Sequence, residues 1–282
     1  MIADYHVHSE FSVDSTYPMD QVCSHAMELG IDELCFTDHV DYGVQPDVSE
    51  YEIDPSYAPL EDGKPLLNVD YERYFPTIEL LRSQFADRLS VRTGLEFGVQ
   101  THTVGRFNEL FDRYADRIDF IIMSVHQIQN QEFWNHTYQT GRSQMEYNRG
   151  YYEELLEVAR RYDNWSVLGH LDLIKRYDTA GILPDEEVHD LIAEILRTVI
   201  EKGKGIEVNT SSFRYGLPDL QPSTYILKLY RDLGGRVITM GSDSHKPEHL
   251  GAHIGEVRER LRDLGFTEFC TFRHMEPRFH RL

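Results

Sequence analysis

Apolar residues along this chain recur in two alternating rhythms. Short runs such as Glu33-Leu34-Cys35-Phe36 and Phe120-Ile121-Ile122-Met123 read as buried strands, and the stretches between several of them carry apolar residues at i, i+3, i+4 and i+7, the spacing of one helical face. The first strand centres on Asp4-Tyr5-His6-Val7-His8. After it Pro18 opens a helix with Val22, Ala26 and Leu29 on one face, closed by Gly30 at the position a helix C-terminus favours. Strands are predicted over 33–39, 89–96, 120–126, 165–170, 205–210 and 236–241, with a short last one over 269–272. Helices are predicted over 69–88, 145–161, 185–202, 224–233 and 254–264. The clearest is 185–202, with Val188, Leu191, Ile192, Ile195, Leu196, Val199 and Ile200 on one stripe. Residues 41–68 show no periodicity and read as a long loop, the kind that serves as a lid or recognition segment.

Strands alternating with amphipathic helices specify a parallel sheet, and seven such units in 282 residues fit one domain spanning residues 1–282. A closed α/β barrel, (β/α)7, competes with an open doubly wound sheet. Chemically capable side chains end most of the strands, and closure brings all strand C-termini around one mouth, which favours the barrel.

Composition narrows the function. Hydrophobic content of 40% with 27% charged residues is that of a soluble globular protein, and no apolar run approaches the length that spans a bilayer. The first residues lack the basic and apolar regions of a signal peptide, and three scattered cysteines do not make a disulfide framework, so a reducing cytoplasm is the expected location. A formal charge of −20 argues against a nucleic-acid partner and for a small anionic substrate met by local positive charge. Fourteen histidines are a compositional hint of metal.

His6 and His8 alternate with Tyr5 and Val7, so both imidazoles lie on one face of a strand, about 7 Å apart at Cβ. Taken alone, that pair fits two core histidines as well as two metal ligands. Joined with the other strand ends it forms a larger set: His6, His8, His39, Glu96, His126, His170, Asp243 and His245, with Asp14 just after the first strand. Imidazole nitrogen mixed with carboxylate oxygen suits zinc, iron or manganese better than calcium or magnesium. Nine donors are too many for one ion, and two to three divalent ions fit.

The motifs Asp4-Tyr5-His6-Val7-His8, Thr37-Asp38-His39, Ser124-Val125-His126, Gly169-His170 and Ser242-Asp243-Ser244-His245 resemble, in order, those of the PHP (polymerase and histidinol phosphatase) superfamily of metal-dependent phosphoesterases. Within it, Gly169-His170-Leu171-Asp172-Leu173-Ile174-Lys175-Arg176 and the run from Glu207 through Asn209 to Arg214 are most similar to the monofunctional histidinol-phosphate phosphatases. The resemblance covers nearly the whole chain and implies a distorted seven-stranded (β/α)7 barrel. It also implies three ligand groups: His6, His8, Glu96 and Asp243 for one metal, Glu96 bridging to a second held by His126 and His170, and Asp14, His39 and His245 for a third. Some relatives carry histidine where Asp14 stands.

The activity implied is hydrolysis of L-histidinol phosphate to L-histidinol and phosphate, in histidine biosynthesis, by attack of a metal-bridging hydroxide. Another small phosphomonoester, a nucleotide or an oligonucleotide end is the alternative substrate. Three divalent ions more than offset the three carboxylates, leaving the mouth positive for a phosphate dianion. Asp243, His245 or a coordinated water supplies the leaving-group proton, and Glu96 completes the catalytic set. Arg176 and Arg214 follow the fifth and sixth strands, where guanidinium forks suit non-bridging phosphate oxygens; the resemblance supports both, and a surface position is the alternative. Asp4 and Asp38 are expected outside the ligand set, either holding imidazoles or capping strands. Asp47, Glu50, Glu52 and Asp54 offer charge to a substrate ammonium or simply face solvent. His102 and His136 lie in loops near the expected mouth. His25, His189, His249, His253, His274 and His280 are expected in solvent.

Overall fold

The computed structural model describes residues 1–61 and 63–282. Seven strands lie side by side in sequence order: β1 (Ala3–Val7), β2 (Glu33–Phe36), β3 (Ser90–Gly98), β4 (Phe120–Ser124), β5 (Val167–Leu168), β6 (Gly205–Asn209) and β7 (Ile238–Gly241). Every neighbouring pair is parallel. The sheet curls until β7 reaches β1, but the seam carries backbone bonds only at its C-terminal end. There His8 N–H donates to the Ser244 carbonyl at 2.8 Å and Ser244 N–H to the His6 carbonyl at 3.2 Å. The result is a nearly closed, distorted (β/α)7 barrel, with the strand C-termini on one rim.

Helices cover the outside because each buries one stripe against the strands. They are α1 (Met19–Glu28), α2 (Tyr71–Phe85), α3 (Val104–Tyr114), α4 (Gln144–Arg161), α5 (His189–Glu201), α6 (Thr224–Asp232) and α7 (Ile254–Asp263). In α1 the buried stripe is Met19, Val22, Cys23 and Ala26, whereas Leu29 lies at the C-cap with its side chain out, 47% exposed, contrary to the expected face. Gly30 does take the left-handed conformation, φ +73°, that ends the helix. The sequence reading missed α3, although Val104, Phe107, Leu110 and Tyr114 recur on one side of it, the last three buried. All three cysteines are buried and free. Among the described residues no helix is long and apolar enough to cross a membrane.

Three further departures have local causes. Residues 41–68 are not featureless: Asp47 and Glu50 form a capping box for a short helix, Val48–Ile53, and Leu60–Glu61 pairs with Lys64–Pro65. The fifth strand shrinks to Val167–Leu168 because its chain turns at Gly169 and His170, the latter with φ +20°. The single terminal strand expected at 269–272 is one arm of an antiparallel hairpin, β8 (Glu268–Arg273) with β9 (Glu276–Arg281). The hairpin packs beneath β1 and β4 through Phe272, whose ring centroid lies 5.0 Å from Phe120, itself 5.0 Å from Tyr5.

Candidate metal centre

Glu96 is the hub of the rim. It sits in the interior of β3, two residues before the end of a strand that runs on to Gly98, and its side chain is 1% exposed. His126 Nε2 and His170 Nε2 lie 3.1 and 2.9 Å from Oε1, while His6 Nε2 and His8 Nε2 lie 3.1 and 3.5 Å from Oε2. His39 Nδ1 stands 3.2 Å from Oε2 as well, so Oε1 faces two imidazoles and Oε2 three. Asp243 Oδ1 completes the His6–His8 side at 3.7 and 3.6 Å from their Nε2 atoms. A third group stands nearer solvent, with Asp14 Oδ2 3.0 Å from His245 Nε2 and 3.7 Å from His39 Nε2. All nine side chains singled out in the sequence therefore meet on one rim, where the closest donor sets overlap: His6, His8 and Glu96; Glu96, His126 and His170; His8, His39 and His245; and His39, Asp41 and His126.

The donor set can be tested for metal. Around one tetrahedral ion with bonds near 2.1 Å, ligand atoms stand about 3.4 Å apart, and most separations above bracket that value. His8 Nε2 is buried with no hydrogen-bond partner, a costly state for a polar atom unless something else satisfies it. Its ring is stacked between His39 at 4.3 Å and His245 at 4.0 Å. Burial pushes the His8 imidazole well below its ordinary range, and the neighbouring His245 and His39 push it further. Burial also lowers His170. Burial opposes charge on Glu96 too, yet His6, His126 and His39 hold its carboxyl well below the carboxylate range; His6, His8, Arg176 and Arg214 do the same for Asp243 against its own burial. Ionised carboxylates and the neutral His8 and His170 are the ligand states a divalent cation requires. Against their burial, Glu207 and Glu96 raise His6, and Asp41 and Glu96 raise His126, well above the ordinary imidazole range, so a cation bound there would displace their protons.

Sequence reasoning missed two carboxylates behind the ligands. Glu207, in the middle of β6, lies 2.5 Å from His6 Nδ1, and Asp41 Oδ1 lies 2.8 Å from His126 Nδ1. The available signal was an acidic residue interrupting the apolar run Gly205-Ile206-Glu207-Val208, where a buried charge needs a partner. Asp41 had been absorbed into the long loop. Of the two aspartates left open, neither is solvated. Asp38 accepts from Ser9 N–H at 2.7 Å and Ser12 Oγ at 2.7 Å, reaching His8 Nδ1 only through Ser12; burial outweighs these bonds and pushes its carboxyl up to about 6. Asp4 touches no imidazole ring. It accepts from Ser242 N–H and Oγ and from Gly251 N–H, clamping the segment that carries Asp243.

The rim opens into a cleft of about 320 Å³, lined by Asp14, His39, Glu96, His126, His170, Asp243 and His245 at its floor. Arg176 lines it as well, with Nη2 bonded to Ser211 Oγ at 2.5 Å, to Gln221 Oε1 at 2.9 Å and to Asp243 Oδ2 at 3.3 Å. Arg214 lies beside it, donating to the Ser242 and Asp243 carbonyls at 2.7 and 2.6 Å, which supports Asp243 at φ +55°. Tyr215, 49% exposed, stacks under both guanidiniums, 4.2 Å from Arg176 and 5.4 Å from Arg214. Lys175, the residue before Arg176, is buried between Asp172 at 3.0 Å and Asp185 at 2.6 Å.

The acidic residues of 47–54 serve their own segment. Asp47 accepts from Tyr42, Asn68 and Tyr71, Glu50 pairs with Arg106 at 2.8 Å, and Asp54 bonds Ser56. The carboxylates on the outer wall of the cleft are instead Glu61 and Glu132, beside Trp134. His102 bonds Asn130 in a separate polar groove, and His25 and His189 pair with Tyr17 and Tyr225 rather than facing open solvent.

A parallel barrel with a rim of histidines and carboxylates around a cleft defines the class of (β/α)-barrel proteins built to hold divalent metal. The chain belongs to the PHP domain family, whose profile matches residues 4–211. Among its relatives is the histidinol-phosphatase of Lactococcus lactis subsp. lactis, 30% identical over 276 residues, covering 97% of this chain and 95% of that one. The probable histidinol-phosphatase of Thermotoga maritima is 30% identical over 264 residues, covering 93% and 92%. The crystal structure of histidinol phosphate phosphatase from Lactococcus lactis, complexed with zinc, L-histidinol and phosphate, superposes with a TM-score of 0.85 at 28% identity, over 98% of both chains.

Proposed function

We propose that this protein is a metal-dependent phosphomonoesterase that hydrolyses L-histidinol phosphate to L-histidinol and phosphate. The observation that carries the reading is the convergence of His6, His8, His126 and His170 on the two oxygens of Glu96, with Arg176 on the wall of the same cleft. The kinship with histidinol-phosphatases supports the substrate.

Two or three ions of zinc, manganese or iron would be held by His6, His8, Glu96 and Asp243, by Glu96, His126 and His170, and by Asp14, His39 and His245. When bound they supply a water acidic enough to ionise near pH 7 and positive charge for the phosphoryl oxygens. The chain's own residues do the rest. Arg176 and Arg214 present N–H donors to non-bridging oxygens. Arg214 bonds the Ser242 and Asp243 carbonyls and stands 3.5 Å from Asp243 Oδ2, so its charge is held beside the cleft. His245, at the cleft floor, would pass a proton to the departing alkoxide, since Asp243 is held ionised. Glu61 and Glu132 offer charge to the substrate ammonium, and the Trp134 ring offers a face to the imidazole. Burial of the floor excludes bulk water from the reacting centre.

The test is phosphate release from a panel of histidinol phosphate, nucleoside monophosphates and an oligonucleotide, with metal content measured on the same sample. Histidinol phosphate should be turned over with the highest kcat/KM by a protein containing bound divalent metal. Preference for a nucleotide, or full activity in a metal-free sample, overturns the assignment.

A further inference from the structure

Glu207 touches neither the cleft nor any atom a substrate could reach, yet it holds two ligands at once. Its Oε1 lies 2.5 Å from His6 Nδ1, and its Oε2 accepts the backbone N–H of His170 at 2.8 Å and Asn209 Nδ2 at 3.2 Å. His6 and His170 face opposite oxygens of Glu96, so a single buried carboxylate spans both sides of the hub. A carboxylate only accepts, so Glu207 holds a proton on His6 Nδ1, which would leave the Nε2 lone pair for a metal bound beside Glu96. His170 needs the second contact because its backbone is in a region non-glycine residues avoid, φ +20°. The fold makes room for the pair. A Cβ at Gly241 would lie 2.3 Å from His6 Cβ and 2.5 Å from Glu207 Oε1. Asn209 Nδ2 also lies 3.4 Å from His6 Nδ1, while its bond to Glu207 keeps the carboxylate as the nearer partner.

We propose that Glu207 is a positioning residue for the metal centre, fixing the tautomer of His6 and the peptide of His170 together, so that its loss weakens metal binding on both sides of Glu96. The inference rests on reading the rim as a metal centre, and its test separates the two. Zinc affinity and stoichiometry are measured by chelator competition on the full-length protein, for wild type, Glu207→Gln and Glu207→Asp, alongside unfolding in excess chelator. Glutamine keeps the volume and accepts from His170, but its amide N–H₂ faces His6 Nδ1 and drives the proton to Nε2. Aspartate fits the space worse but keeps the charge that sets the tautomer.

Zinc affinity should therefore fall about 10- to 100-fold in Glu207→Gln, with Glu207→Asp retaining more than Glu207→Gln, while the chelated wild type and Glu207→Gln unfold at closely similar midpoints. A purely packing role predicts the reverse order of the two variants. Affinity in Glu207→Gln equal to wild type, or chelated Glu207→Gln that is already unfolded, overturns the proposal. Wild type that binds no zinc, manganese or iron overturns instead the metal reading itself.

Discussion

The backbone N–H of His8 donates to the carbonyl of Ser244 at 2.8 Å, so the bond that closes the barrel joins two ligand-bearing segments. Structural closure and assembly of the centre are thus one event. Asp4 reinforces that seam from behind, accepting from Ser242 N–H, Ser242 Oγ and Gly251 N–H, and it stays fully buried to do so.

Removing the Asp4 carboxylate leaves those donors buried and unpaired, at about 1–3 kcal/mol each. Asp4→Ala should lower the unfolding free energy by roughly 3 kcal/mol or more and release metal from the Asp243 side. Asp4→Asn, which keeps one acceptor, should fall between it and wild type. Denaturant unfolding with parallel metal analysis checks both, and an Asp4→Ala protein as stable as wild type would refute the clamp.

Glu96 faces five imidazoles, those of His6, His8, His39, His126 and His170. Glu96→Ala should lose bound metal and turnover together. Retention of full metal with loss of turnover alone would place its role in the chemical step rather than in holding ions.

The arginines separate by what else they hold. Arg176→Ala should keep metal, since its contact with Asp243 is one of several on that carboxylate, and lower kcat/KM by about 100-fold or more, as for a lost charge-assisted contact. Arg214→Ala should likewise keep metal and chiefly raise KM. If Arg214→Ala loses zinc instead, its bonds to the Ser242 and Asp243 carbonyls are its function. Tyr215→Ala, which removes the ring under both guanidiniums, should raise KM without changing metal content.

How far this arrangement was legible depends on what each residue's chemistry announces. The strands and eight of the nine rim residues were read from apolar runs ending in histidine or carboxylate, and Asp14 from its place just after the first strand. Glu207 and Asp41 were hidden because each stands behind an imidazole contributed by a distant segment, 201 residues away for Glu207 and His6, and no local pattern marks such a pairing. The second arm of the terminal hairpin, Glu-Pro-Arg-Phe-His-Arg, is largely polar because it lies on the surface, so burial gave it no signature. Helix α3 did carry its periodic stripe.

Lys175 sits 8% exposed between Asp172 and Asp185, tying the loop after β5 to the segment before α5. Burial disfavours its charge, yet the two carboxylates hold its pKa above the ordinary lysine value. Lys175→Met leaves two buried carboxylates without a counter-ion and should cost about 3–5 kcal/mol of stability at neutral pH. Measured at pH 4, toward which burial raises the Asp172 carboxyl, the deficit should shrink as that group takes up a proton. A deficit that does not change with pH would mean that lost packing, rather than charge, is what the substitution exposes.

Gly98 tests how tightly the outer carboxylates are fitted. A Cβ there would stand 1.7 Å from Asp41 Oδ1 and 2.8 Å from His126 Nδ1, so Gly98→Ala must drive the Asp41 carboxylate off the imidazole. His126 would then lack the acceptor that keeps its proton on Nδ1 and its Nε2 toward Glu96. Zinc on the His126–His170 side should weaken about 10- to 100-fold, while the His6–His8 side, held by Glu207, keeps its ion. Chelator titration resolving two classes of bound zinc would show one class weakened and one unchanged. Equal weakening of both would mean that the distortion spreads through Glu96, and unchanged binding would show that Asp41 is dispensable for His126.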